Sequence, residues 1–138
     1  MPVNPSNPPN QITNPQAAIP VYIAGGGSYS SVNSQVTTSS PWAWNSTGFS
    51  LQAFTALANA LVINADAGSP VDGQQTIFRF QDNGTARALT WTTGVAKGFE
   101  AVGVTLPTTT VANKLTYVGC IYNANRQRWD AIAVSQEA

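Results

Sequence analysis

Few side chains in this sequence could do chemistry, and their spacing narrows them further. No histidine occurs among the 138 residues, which removes His-dependent triads, His general bases and His metal ligands together. The single cysteine, Cys120, lies inside the apolar run Tyr117-Val118-Gly119-Cys120-Ile121-Tyr122. With no histidine to activate it, it reads as a small core residue rather than a nucleophile. A lone cysteine also leaves no disulfide within the chain, so packing or association must hold the fold. Asp66, Asp72 and Asp82 could in principle form a carboxylate pair for glycoside hydrolysis or bind calcium through oxygen. Their neighbours favour turns instead: Asp66 and Asp72 flank Gly68-Ser69-Pro70, Gly73 follows, and Asp82 opens Asn83-Gly84. Asp130, beside Trp129, is expected to pair with an arginine such as Arg126 or Arg128. No catalytic residue, metal ligand or cofactor emerges, and the chain is expected not to be an enzyme.

Paired aromatics offer a different chemistry. Trp42 and Trp44 in Pro41-Trp42-Ala43-Trp44 could stack on sugar rings, but no acid or arginine lies nearby to hold the hydroxyls and Asn45 is the only adjacent amide. They are expected instead to anchor an arm in an apolar groove of a partner. Gly25-Gly26-Gly27-Ser28 lacks the following Gly-Lys-Ser/Thr of a phosphate loop and reads as a joint. Asn45-Ser46-Thr47 and Asn83-Gly84-Thr85 match the glycosylation triplet, which carries no meaning without a secretory leader.

Charge divides the chain. All six Lys/Arg and all six Asp/Glu lie from Asp66 onward, and the net formal charge is zero. Arg79, Arg87, Lys97, Lys114, Arg126 and Arg128 are interleaved with acids rather than clustered, so nucleic acid is not an expected partner. Residues 1–48 carry Pro2, Pro5, Pro8, Pro9, Pro15, Pro20 and Pro41 among many Asn, Ser and Thr, which disfavours helix and central strand alike. Such a segment reads either as a disordered linker or as an extended arm. Ile19-Pro20-Val21-Tyr22-Ile23 is a β-capable run within it, so Ile19, Val21, Tyr22, Ile23, Trp42 and Trp44 are the expected partner-binding residues. Absence of charge suits a surface desolvated between partners. The start lacks the basic and apolar regions of a secretory leader, and no run is long enough to cross a bilayer. A soluble protein made in a cytosol, without a membrane partner, is the expectation.

From Phe49 to Ala138, short apolar runs split by turn residues predict a single small all-β domain, an antiparallel β-sandwich or jelly-roll. Expected strands are residues 49–53, 61–64, 75–81, 86–91, 99–106, 114–123 and 128–135, and residues 54–60 could also form a short helix. Asn83-Gly84 predicts a type I′ hairpin that sets Phe80 opposite Arg87, Phe78 opposite Leu89 and Thr76 opposite Trp91. Phe78, Phe80, Leu89 and Trp91 then share the core face, and Trp129 joins the core from a second hairpin turning at Asn123-Ala124-Asn125. The runs on either side of that turn are apolar on both faces, which hints at oligomerisation.

Three stretches taken together, Phe78 to Trp91, Gly103 to Thr110 and Tyr117 to Asn123, resemble a module at the ends of tailed-bacteriophage virion proteins, among them capsid decoration and tail-associated proteins. The likeness spans about Leu61 to Ala138 and brings no catalytic residues. It implies a virion structural role, with the protein assembled in the host cytoplasm. Without repeats, heptads or a Gly-X-Y shaft, the chain suits a capsid cement protein better than a fibre. The implied partners are the major capsid protein and other copies of the chain, most simply a homotrimer, at the capsid surface. The alternative is a tail-associated module that binds a host glycan.

Overall fold

The computed structural model describes residues 31–138, which form one compact unit from Ser31 to Ala138. Eight strands make it up: β1 (Val32–Gln35), β2 (Leu51–Leu57), β3 (Leu61–Ile63), β4 (Gln75–Asp82), β5 (Leu89–Trp91), β6 (Gly98–Ala101), β7 (Thr116–Asn123) and β8 (Arg128–Gln136). No helix occurs among the described residues. The protein is therefore all-β, and the stretch that could have been helical after Phe54 instead continues β2 to Leu57. A register shift between Phe54 and Leu57 lets both of these side chains be buried.

Six strands form one sheet in the order β1-β2-β4-β7-β8-β6, and β3 and β5 form a second. Pairing is mixed rather than antiparallel. β1–β2, β2–β4, β6–β8 and β3–β5 are parallel, whereas β4–β7 and β7–β8 are antiparallel. The reason lies in how the chain travels. It leaves β1, passes Trp42, returns as β2, crosses to β3, returns as β4 and crosses to β5. Trp42 bridges Ile63 in parallel, so the second layer repeats the order of the first. This is a short β-solenoid-like coil, in which each turn buries its inner face against the next. The β7–β8 hairpin then pairs with β4 and covers the last rung's open edge.

The hairpin expected at Asn83-Gly84 does not form. β4 is flanked by β2 and β7, and β5 pairs with β3, so Phe78 and Leu89 are not ladder partners. Gly84 does adopt a positive φ of 96°, but the buried Asp82 carboxylate redirects the chain. It accepts from the Gly84 amide (3.0 Å), the Asn113 amide (2.9 Å) and the Thr110 hydroxyl (2.6 Å). Residues after the turn bond to 108–110 instead, through the Leu89 amide to the Thr108 carbonyl and the Thr110 amide to the Arg87 carbonyl. The second hairpin does form, with Asn123 paired to Arg128 across a turn that ends at Gln127.

Alternation still sorts the faces. Phe78, Phe80, Leu89, Trp91 and Trp129 are all buried in one cluster with Phe54, Phe99 and Val118. The aromatic rings meet in edge-to-face and offset contacts, such as Trp91 on Phe99 at 4.9 Å and Phe54 on Phe80 at 5.6 Å.

Candidate functional site: a partner interface

Trp42 and Trp44 are not free to anchor an arm. They are 6% and 1% exposed, inside this chain's own core. The Trp42 amide donates to the Val62 carbonyl and the Ala67 amide to the Trp44 carbonyl, so residues 42–44 run beside β3 like a strand. Trp44 packs on Phe78 at 4.9 Å, Trp129 at 5.6 Å and Phe99 at 5.7 Å, and its indole N–H donates to the Asn64 carbonyl at 2.7 Å. Burial of this much aromatic surface outweighs the extended, proline-bearing composition of the segment. Consequently the boundary expected between residues 48 and 49 moves to Ser31, and 31–48 belong to the β unit. Ile19, Val21, Tyr22 and Ile23 lie outside the described residues.

The aspartates are committed to structure. Asp66 is 3% exposed and accepts four hydrogen bonds. The Ser46 amide (2.9 Å) and Gly68 amide (2.7 Å) reach one oxygen, and the Ser46 hydroxyl (2.6 Å) and Trp129 indole N–H (3.2 Å) reach the other. A Cβ on Gly68 would meet the Asn45 side-chain oxygen at 2.5 Å, the Ser46 hydroxyl at 2.9 Å and the Asp66 carboxylate at 3.0 Å, so a larger residue would have to displace this cluster. Asp72 lies at the surface and accepts from the Ala124 amide. Asp130 pairs with Arg128 at 2.7 Å, as its neighbours suggest. Among the described residues no three His, Cys, Asp or Glu side chains gather as a metal site needs. Burial, with Asp130 adding to it, pushes the Cys120 thiol up to about 12, far from a reactive thiolate.

Asp82 gives the fold a pH dependence. Burial acts to raise its pKa, but hydrogen bonds from Thr110, Asn113 and Gly84 and the charge of Arg87 together outweigh it and hold the group below the ordinary value. A depressed folded-state pKa adds stability that is fully present above the unfolded value of about 3.9 and is lost as pH falls through the folded one. Wild type should therefore be more stable than Asp82→Asn at pH 7, with the gap narrowing as pH drops below about 5. Urea titrations of both proteins across that range measure it. A gap independent of pH would mean that the charge on Asp82 contributes nothing.

Two of the open depressions on the surface of the described residues bear on ligand binding. One, of about 370 Å³, lies between Gly94-Val95-Ala96 and the β7–β8 turn, beside Arg126, Arg128 and Glu100. The other, of about 320 Å³, lies beside Asp72, Asn123, Asn125 and Asp130. Neither presents an exposed aromatic ring on which a sugar could stack.

The broadest candidate is the outer face of the six-stranded sheet. Register places Val32, Leu51, Ile77, Gly119 and Ala133 in one row across five strands. Ile121 lies two residues to one side of that row on β7, and Tyr117 two residues to the other. Val32 and Ile77 are each 45% exposed and Tyr117 is 37%. No individual residue of this face was singled out from sequence, although the signal was there in the two-sided apolar pattern around Cys120 and Ile132. No family model, no curated protein and no solved structure matches the chain.

Proposed function

We propose that this chain is a non-enzymatic assembly protein, and specifically a tailed-phage virion structural protein that cements or decorates the capsid. One observation carries the assembly part. The aspartates and Cys120 are tied into the fold, while apolar residues of one sheet face lie open to solvent. Contiguous exposed apolar surface on a protein this small marks an interaction site. The virion part rests on the resemblance of the Phe78–Trp91, Gly103–Thr110 and Tyr117–Asn123 stretches to the phage module. In this reading residues 1–30, with the run Ile19 to Ile23, lie across neighbouring major capsid subunits, and the β unit clusters with other copies on the shell. Many weak contacts then give avidity without a deep pocket. The glycan-binding alternative loses its aromatic platform, because Trp42 and Trp44 are buried.

Deletion tests the reading, provided that the cut respects the core. Removing residues 1–44 takes out Trp42 and Trp44 and should unfold the domain. Removing 1–30 leaves the whole buried cluster in place. The 31–138 chain should melt cooperatively near the full-length temperature yet fail to co-sediment with capsids that the full chain decorates. Normal decoration by the shortened chain would sink the arm hypothesis. Copy number in purified particles tests the location, since a cement protein should approach the number of capsid subunits and a receptor-binding module only a few.

A further inference from the structure

The outer sheet face carries charge in a pattern that says what can cover it. Arg79 lies on this face of β4, in the row that runs through Tyr117 and Ser135. Among the described residues no carboxylate approaches it within 4 Å. Glu100 lies on the same face of β6, in register with Asp130 and, through it, with Ile121 and Gln75. It is 49% exposed, and only Arg128 approaches it, at 4.0 Å, while that arginine makes its closer pair with Asp130 at 2.7 Å. Both charges therefore retain the capacity to bind an opposite charge brought in from outside.

Their positions are related through the small residues of the apolar row. Arg79 and Glu100 are three strand steps apart, on the order of 14 Å, and differ by four residues along the strands, on the order of 13 Å. The point midway between them falls on the row of Ile77, Gly119 and Ala133, between β7 and β8. Gly119 and Ala133 make this the lowest part of the face, and a Cβ on Gly119 would already touch that of Ala133 at 3.5 Å. A two-fold axis lying in the face at that point, along the diagonal that bisects the Arg79–Glu100 line, brings Arg79 of each copy over Glu100 of the other. The same operation crosses the apolar row of one copy over that of the other at Gly119 and Ala133, with strands crossing at about 90°, as in orthogonal sheet packing.

We infer that the outer sheet face is a self-complementary interface on which a second copy of this chain packs as a two-fold pair, with reciprocal Arg79–Glu100 contacts flanking an apolar centre over Gly119 and Ala133. The pair replaces the trimer that the resemblance suggests, because a closed isologous contact needs the same patch on both copies. It does not depend on the virion reading: it is measured on purified chain without capsids, and either can fail alone.

Charge reversal tests it on the full chain. Sedimentation velocity at micromolar concentration should show a concentration-dependent dimer. Arg79→Glu and Glu100→Arg should each weaken association about tenfold or more, because each puts like charges in contact twice per pair. Mixed in equal amounts, the two variants should associate again, since the mixed pair restores opposite charges at both contacts. Both positions are on the solvent side of the sheet, and matching near-UV circular dichroism would verify that each variant is folded. A monomer at every concentration, a trimer, association indifferent to both reversals, or failure of the mixture to recover would each overturn the proposal. So would capture of a different protein by this face while the chain itself stays monomeric.

Discussion

Replacing Trp44 by alanine should lower the unfolding free energy by about 3–5 kcal/mol, the range for deleting a large buried aromatic. The side chain is 1% exposed and touches Phe78, Phe99 and Trp129, which come from β4, β6 and β8. Its loss would open a cavity that three separate strands would have to collapse together to fill. Domains of this size have roughly 5–15 kcal/mol to lose, so the variant should melt about 15 °C lower or more, by the usual scaling of 4–8 °C per kcal/mol. Trp44→Phe separates packing from hydrogen bonding. It keeps a ring in the cluster but leaves the Asn64 carbonyl without the indole donor, and should cost about 1–2 kcal/mol. Thermal and urea unfolding followed by circular dichroism measures both. An unchanged melting temperature combined with lost partner binding would restore Trp44 to the role of an external anchor.

Composition and periodicity conflict most sharply in the residues around Trp44. Pro41-Trp42-Ala43-Trp44 sits in a segment without charge and rich in Ser, Thr and Pro, and composition pointed to an arm. Periodicity pointed the other way: Trp42, Trp44 and Ser46 are all buried, while Ala43 and Asn45 are exposed. A two-residue alternation over five positions is a strand signature even where propensity is poor. Asn83-Gly84 shows the converse: its sequence is a strong hairpin signal, yet the strands on either side lie in different sheets. Turn chemistry reports that the chain reverses locally, but a buried acceptor such as Asp82 can hold the turn open and send the next segment to another sheet.

Alternation proved more durable than pairing. Phe78, Phe80, Leu89 and Trp91 share the core although their strands are not neighbours, because the side-chain period fixes which face is apolar and says nothing about the ladder. The β7–β8 pair was legible because its turn is short and both flanks are apolar. The parallel pairs β2–β4 and β3–β5 were not, since each joins segments more than twenty residues apart with no local turn to mark them. The same limit hid the outer face: Val32, Leu51, Ile77, Gly119 and Ala133 lie in five separate strands, and only the sheet order brings them into one row.

Asp66 should prove the most sensitive polar position, and its two simplest substitutions should differ in a specific way. The carboxylate gathers Ser46, Gly68 and Trp129, and so ties the 42–46 segment to the loop after β3 and to β8. Asparagine can keep its one carbonyl oxygen toward the Ser46 and Gly68 amides, which cannot turn away. Its amide group then faces the Ser46 hydroxyl, which can rotate to accept, and the Trp129 indole N–H, which cannot. One buried donor is orphaned, for a cost of about 1–3 kcal/mol. Alanine removes every acceptor at once and leaves the Ser46 amide, the Gly68 amide and the indole without partners in a dry site. About 3–6 kcal/mol should be lost, enough to leave a sizeable unfolded population at 37 °C. Urea unfolding of the two variants measures the order, and loss of the Trp129 indole bond should be visible as a shifted indole N–H resonance in both. Equal and small costs would mean that Asp66 is not a structural hub. A stable Asp66→Ala protein that no longer binds its partner would return this carboxylate to the list of functional groups from which its hydrogen bonds now remove it.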